Sequence, residues 1–186
     1  MLKHTGTKTL RTNRLILRKF EINDANDMFK NWANDEEVTK YLTWNPHGDI
    51  SITKSLLEEW VKSYNIDSTY NWVIQFGDTS DIIGGISIVE INEYIQSFEV
   101  GYCISKNHWG KGIMSESLKA VIDYLFSQVG CNKITAKHDV RNIASGKVMI
   151  KCGMCYIKTL KNIEIPNDKG YCYLHVYEIS KKEWKK

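Results

Sequence analysis

The hydrophobic positions of this chain change period several times, and each change marks an element. Arg14-Leu-Ile-Leu-Arg18 alternates charged and apolar residues at period two, which predicts a strand with one face toward solvent. Asn23 or Asp24 stands where it would cap a helix through Met28, Phe29 and Trp32, and Asp35 where it would cap a short helix carrying Val38 and Tyr41. Thr43-Trp-Asn-Pro-His-Gly48 is turn chemistry, after which Ser51 opens a helix through Leu56, Leu57, Trp60 and Tyr64. Trp32, Trp60 and Trp72 are assigned to core packing.

The period then shortens. Tyr70 to Phe76, Ile82 to Ile91 and Phe98 to Ile104 read as three consecutive strands, joined by short loops at Gly77–Asp81 and Asn92–Ile95. A glycine-containing loop, Asn107 to Gly112, leads into a helix with apolar residues at Ile113, Leu118, Val121, Ile122 and Leu125, capped by Gly130. Lys133 to Val140 is a strand, Ile143 to Lys151 a helix ended by Gly153, and two strands follow near Tyr156 to Ile163 and Tyr171 to Ser180. The expected fold class is therefore α/β (α+β). Its centre is a mixed, mostly antiparallel sheet of about seven strands flanked by helices, with one strand-helix-strand crossover after the meander.

Composition narrows this further. A length of 186 residues favours one domain, 1–186, with its core over about 12–180. The 25 basic and 22 acidic residues leave a net charge of +3, too small a surplus to imply nucleic-acid binding. The cluster Lys181, Lys182, Lys185 and Lys186 reads as a solvated tail. No run approaches the ~20 apolar residues of a membrane span, and Met-Leu-Lys-His-Thr-Gly-Thr-Lys lacks the apolar stretch of a signal peptide. Five cysteines, an odd number, then point to reduced thiols and a cytoplasmic setting. Cys152-Gly-Met-Cys155 has redox spacing but falls where a helix ends, whereas a redox dithiol would open one; these cysteines are read as structural. His4, His47, His108, His138 and His175 are scattered, and no metal is expected.

The chemical signal is strongest from Glu99 to Met114. Gly110 and Gly112 bracket a tight turn at the start of the long helix, where unpaired N–H groups and the positive dipole end favour phosphate, and Lys111 adds a cation. The spacing is neither the dinucleotide G-x-G-x-x-G, since residue 115 is serine, nor a P-loop. The next strand ends at His138-Asp-Val-Arg-Asn142, and Asn142-Ile-Ala-Ser145 caps a second helix start. Two helix N-termini after two neighbouring strands suit an extended, amide-containing cofactor with a pyrophosphate at one end.

Those residues resemble the GNAT superfamily of acetyl-CoA-dependent N-acetyltransferases, and within it the branch that acetylates ribosomal-protein N-termini. The resemblance covers nearly the whole chain. It rests on Thr12-Asn-Arg-Leu-Ile-Leu-Arg18, Asp24-Ala25 with Met28-Phe29, Glu99-Val-Gly-Tyr102, and Trp109-Gly-Lys-Gly-Ile-Met114. Asn142, Ser145, Val148, Lys151, Gly153 and Met154 match the segment after the next strand, and Glu183-Trp184 resembles the usual ending. The resemblance implies that acetyl-CoA is the co-substrate. Tyr102, Cys103 and Ile104 would offer backbone groups to its pantetheine arm, and the N–H groups from Trp109 through Gly110, Lys111, Gly112, Ile113 and Met114 would hold the pyrophosphate. Asn107 stands where the family more often has Gln or Arg. Asn142 and Ser145 would contact the pantetheine or the thioester end.

A primary amine that is partly protonated at neutral pH benefits from a base, and Glu99, placed late in the central strand, is the candidate; it equally suits a strand carboxylate pairing a lysine. A backbone N–H near Cys103 or Ile104 would serve the oxyanion. Many family members carry a tyrosine acid seven residues after the asparagine, but here that position is Met149. Ser145 is the substitute the ribosomal branch implies, or simply a helix cap. Trp44, Asn45 and His47 would contact the acceptor, facing the last two strands and Tyr173, although Trp44 also suits a loop aromatic folded onto the core. The acceptor is expected to be a protein N-terminal α-amine, such as that of a ribosomal protein, on a monomer or homodimer with no nucleic-acid or membrane partner. Acetylation of a polyamine, amino sugar or aminoglycoside, a non-catalytic acyl-CoA-binding module and, last, a nucleotide-binding module are the alternatives.

Overall fold

The computed structural model describes residues 2–77, 79, 81–166 and 169–184. Lys185 and Lys186 of the basic tail lie outside the described residues, as do positions 78 and 80 of the loop before the second meander strand. The elements in chain order are β1 (Leu10–Arg11), β2 (Leu15–Arg18), α1 (Ala25–Met28), α2 (Glu36–Thr39), α3 (Ile50–Ser63), β3 (Asn71–Phe76), β4 (Ile82–Asn92) and β5 (Ser97–Ile104). Then follow α4 (Ile113–Tyr124), β6 (Lys133–Asp139), α5 (Ile143–Lys151), β7 (Cys155–Glu164), β8 (Tyr171–Ser180) and α6 (Lys181–Trp184).

One sheet of eight strands runs in the order β1-β2-β3-β4-β5-β6-β8-β7. The strand beyond the expected seven is β1, two residues paired to Leu17 and Ile16, too short to leave a period in the sequence. Every neighbouring pair is antiparallel except β5 with β6, whose parallel pairing follows from the crossover through α4.

The period-two residues go where the pattern placed them. Leu15 and Leu17 are buried while Ile16 and Arg18 are only half covered. In β3 the alternation sorts side chains between two cores: Trp72 and Ile74 join the α4 side, Val73 the α1 and α3 side. The first core combines Leu118, Val121 and Leu125 with Phe98, Val100, Ile134 and Met149; the second combines Met28, Trp32 and Leu57 with Ile82. Trp60 packs against the second core, 4.9 Å from Phe20. Each large side chain so buried contributes about 1.5–3 kcal/mol.

Two helix starts differ from expectation. Asp24 does not cap by its side chain; both its oxygens accept from Arg18 at 2.8 Å, and one also takes the Glu21 N–H. The carboxylate thus closes a capping box on the short turn before α1 and pairs with the Arg18 guanidinium, and gives α1 itself no side-chain cap. Helix α3 is capped by Asp49, which accepts from Ser51 N at 2.7 Å, so the helix begins one residue before Ser51. Asp35 and Asn142 do cap α2 and α5. The cysteine pair spans the end of α5 and the start of β7; Cys152 is buried, its thiol pushed up to about 12 by burial, which suits a structural role.

Candidate active site

The site begins with a break in the sheet. β5 pairs with β4 along its whole length but with β6 only from Ser97↔Lys133 to Val100↔Ala136. Beyond that point β6 continues against β8 alone, and the segment Gly101–Ile104, about 10 Å of strand, faces an open wedge. Unpaired backbone groups along such an edge can accept an extended amide chain as an added strand. Gly84 holds β4 close to this arm: a Cβ there would lie 2.5 Å from the Cys103 carbonyl oxygen. The Ile104 carbonyl accepts from the Trp109 indole at 2.9 Å, tying the end of the strand to the loop that follows.

That loop ends at the wide mouth of the wedge. Gly110 and Gly112 both adopt φ of +73°, a conformation that disfavours any side chain, and Gly112 is the N-cap of α4. With no cap side chain to take them, the first-turn N–H groups of a twelve-residue helix are left for a ligand. Ile113 and Met114 bury their side chains, so they contribute only backbone; Asn107, Trp109 and Lys111 are exposed. One carboxylate, Glu116, stands in the same turn. It accepts from Thr12 Oγ1 at 2.6 Å and Arg14 Nε at 2.7 Å, while Arg14 Nη1 donates to the Lys111 carbonyl at 3.1 Å. Burial alone would raise its pKa, but the bonds from Thr12 and Arg14 bring it below the ordinary value. The turn between β1 and β2 thereby neutralises the one acid in the first turn of the cradle helix, a role for Arg14 that sequence reasoning missed.

At the narrow end, the two faces of β5 carry different chemistry. Glu99 is the third residue of β5, near its start rather than late in the strand as expected, and it shares a face with Cys103, which packs against the α1 and α3 core. Its carboxylate pairs with Lys137 of β6 at 2.7 Å. A cavity of about 50 Å³ adjoins it, lined by Glu90, Asn92, Ser97 and Thr135. Cys103 has its thiol pushed up to about 12 by burial and is no nucleophile. On the opposite face Tyr102 reaches across the wedge to α5, 3.0 Å from Ser145 Oγ and 3.1 Å from the Ser145 carbonyl. Burial raises the phenol far above the ordinary range, and the Ser145 bond only partly opposes that. Asn142 Oδ1 accepts from Ser145 N at 3.3 Å, and Met149 is buried in the core.

The expected acceptor residues are partly gathered. Trp44 and His47 lie 5.4 Å apart; Trp44 packs against the second core, and His47 Nδ1 bonds Thr53 Oγ1 at 2.7 Å. Asn45 is exposed on the same loop. Tyr173 is exposed and, by the alternation of β8, lies on the face of His175 and Tyr177, away from Leu174, which opposes Asp139. Two features had no signature in the sequence. Lys169, just before β8, donates to the carbonyls of Thr39, Leu42 and Trp44 at 2.7, 3.1 and 2.6 Å, pinning the loop. Arg141 forks onto Asp139 and lies over the Tyr41 ring at 5.6 Å. A larger groove of about 820 Å³ runs along the outer side of α4 and meets the cradle at Gly112 and Glu116; it holds none of the Glu99, Tyr102 or Ser145 chemistry.

Comparison with known proteins gives this geometry its setting. Residues 14–155 match the family described as "Acetyltransferase (GNAT) domain". The uncharacterized N-acetyltransferase p20 of Bacillus licheniformis is 34% identical over 143 residues, 76% of this chain and 79% of that protein. The ribosomal-protein-serine acetyltransferase of Escherichia coli is 31% identical over 88 residues, 47% of this chain and 49% of that protein. Among solved structures, the microcin C7 self-immunity acetyltransferase MccE, in complex with acetyl-CoA and AMP, superposes with a TM-score of 0.81 at 21% identity, covering 96% of this chain and 98% of that one.

Proposed function

Taking as its premise that the chain belongs to the GNAT family of N-acetyltransferases, we propose that it moves the acetyl group of acetyl-CoA to a protein N-terminal α-amine, such as that of a ribosomal protein. The observation that carries this reading is the wedge between β5 and β6 with the glycine cradle at its mouth. The cradle N–H groups take the pyrophosphate, and Gly101 to Ile104 take the pantetheine arm as an added strand. The thioester then reaches the narrow end, between the Glu99 face and the Tyr102–Ser145 face. The acceptor nitrogen attacks the acetyl carbon, Glu99 takes the surplus proton directly or through water, a β5 N–H holds the oxyanion, and the sulfur departs as a thiolate.

An α-amine is favoured over a polyamine by the charges around the acceptor loop. A polycation needs open carboxylates, and three of those near the wedge are already paired, Glu37 with Lys106, Asp139 with Arg141 and Glu99 with Lys137, although Glu36, Glu58 and Glu59 are exposed. The likeness to the ribosomal-protein-serine acetyltransferase of Escherichia coli points the same way. The test is calorimetric titration with acetyl-CoA, with NAD and ATP as controls, followed by mass-shift screening of peptide N-termini against polyamines and aminoglycosides. Micromolar binding of acetyl-CoA alone and acetylation of peptides support the reading. Binding with acetylation of polyamines only would replace the acceptor, and no binding would remove the co-substrate.

A further inference from the structure

The phenol of Tyr102 has a place in the site that its backbone role does not explain. Its ring leaves β5 on the face packed against α4, yet its oxygen ends at the first turn of α5, bridging the two arms of the wedge. One phenol proton finds two acceptors there, the carbonyl and the hydroxyl oxygen of Ser145, at 3.1 and 3.0 Å. When the phenol donates to the carbonyl, the Ser145 proton is free to bond back to the phenol oxygen. When the phenol donates to Oγ, the Ser145 proton must point elsewhere and is left for a ligand in the wedge. Asn142 fixes the backbone of the same serine from the other side.

We propose that Tyr102 is a positioning residue for acetyl transfer: by swinging its hydrogen bond from the Ser145 carbonyl to Ser145 Oγ, it turns the serine proton onto the departing sulfur. The proposal rests on the acetyl-CoA reading above. In the step itself the N–C bond forms, the C–S bond breaks and its electron pair stays on sulfur. The surplus amine proton leaves toward Glu99 or water. Neither Tyr102 nor Ser145 loses a proton; together they solvate the thiolate with one reoriented hydrogen-bond chain, which suits a buried phenol that stays protonated. The arrangement also accounts for chemistry without a tyrosine at position 149, since Ser145 in the first turn of α5 supplies the hydroxyl and Tyr102 of β5 orients it.

The test is a double-mutant cycle on the full chain, with acetyl-CoA as donor and hydroxylamine as acceptor, a small amine that is largely neutral at pH 7. Release of CoA is read with a thiol reagent above the uncatalysed blank. Tyr102→Phe is expected to lower kcat about tenfold while leaving the acetyl-CoA Kd within about twofold, and Ser145→Ala to do the same. The double variant should be no slower than Ser145→Ala, because the phenol acts through the serine. Ser145→Thr, which keeps a hydroxyl, should remain sensitive to Tyr102→Phe. Multiplying losses, an unchanged kcat in Tyr102→Phe, or a loss confined to acetyl-CoA affinity would each overturn the proposal. A wild-type chain that fails to bind acetyl-CoA overturns the reading beneath it, a result separable from the other three.

Discussion

His138 and Gly146 are pressed together so closely that a Cβ on the glycine would stand 2.7 Å from the imidazole Nε2. The ring is 7% exposed, and its Nδ1 donates to the Asp139 carbonyl at 2.7 Å, so Nε2 is a buried acceptor without a hydrogen-bond partner among the described residues. Helix α5, which carries Asn142 and Ser145, therefore sits on β6 at a distance that this glycine permits.

Gly146→Ala is expected to destabilise the fold by about 1–3 kcal/mol, the range for overpacking a rigid contact, and His138→Ala in the same chain to recover part of it. Thermal unfolding of the single and double variants checks this; additive losses would contradict the contact. The same histidine sets a pH trend. Burial lowers its pKa from 6.5, and burial lowers those of His47 and His108 as well. The unfolded chain then takes up protons first on acidification. Stability is thus full above about pH 6.5 and falls as the pH drops toward the folded values, with a shallower slope in His138→Leu.

The phosphate cradle predicts two different outcomes at one helix start. Gly112→Val forces a side chain into φ of +73°, a strain of about 1–2 kcal/mol, and should abolish acetyl-CoA binding with the fold retained. Arg14→Ala instead uncovers the Glu116 carboxylate beside the anion, so acetyl-CoA affinity should fall several-fold and return in Arg14→Ala/Glu116→Gln. Because the Glu116 pKa is lowered, the stability from this clamp is present above about pH 4.5 and is lost as pH falls through the folded value. Calorimetry at two salt concentrations separates the charge effect from the backbone effect.

Glu99→Gln keeps the shape of the carboxylate and removes its basicity. Turnover should drop most below the pKa of the acceptor amine, with acetyl-CoA affinity unchanged. Rates within about twofold of wild type across pH would leave Glu99 as the strand partner of Lys137 and nothing more.

Lys169→Met takes away the three bonds that hold the carbonyls of Thr39, Leu42 and Trp44. The expected result is a higher KM for the acceptor, an unchanged Kd for acetyl-CoA, and faster amide exchange over residues 39–48. Lys169→Arg should lie between the two. An unchanged exchange rate would show that the loop is held by Trp44 packing and the His47–Thr53 bond without the lysine.

Much of this molecule was written in local order. The alternation of Leu15 and Leu17, the caps at Asp35 and Asn142, and the glycines at 110 and 112 depend on neighbours within a few residues, so sequence alone determined them. It determined the family as well, because the cradle motif and the asparagine-serine motif keep their order along the chain. The pairings at the site were decided only by tertiary structure. Tyr102 meets Ser145 across 43 positions, and Lys169 meets Trp44 across 125. A hydrophobic period tells which face a side chain takes, but not which strand or helix will lie opposite it. That depends on the register of β5 against β6, on where their pairing stops, and on the helix docked over the gap.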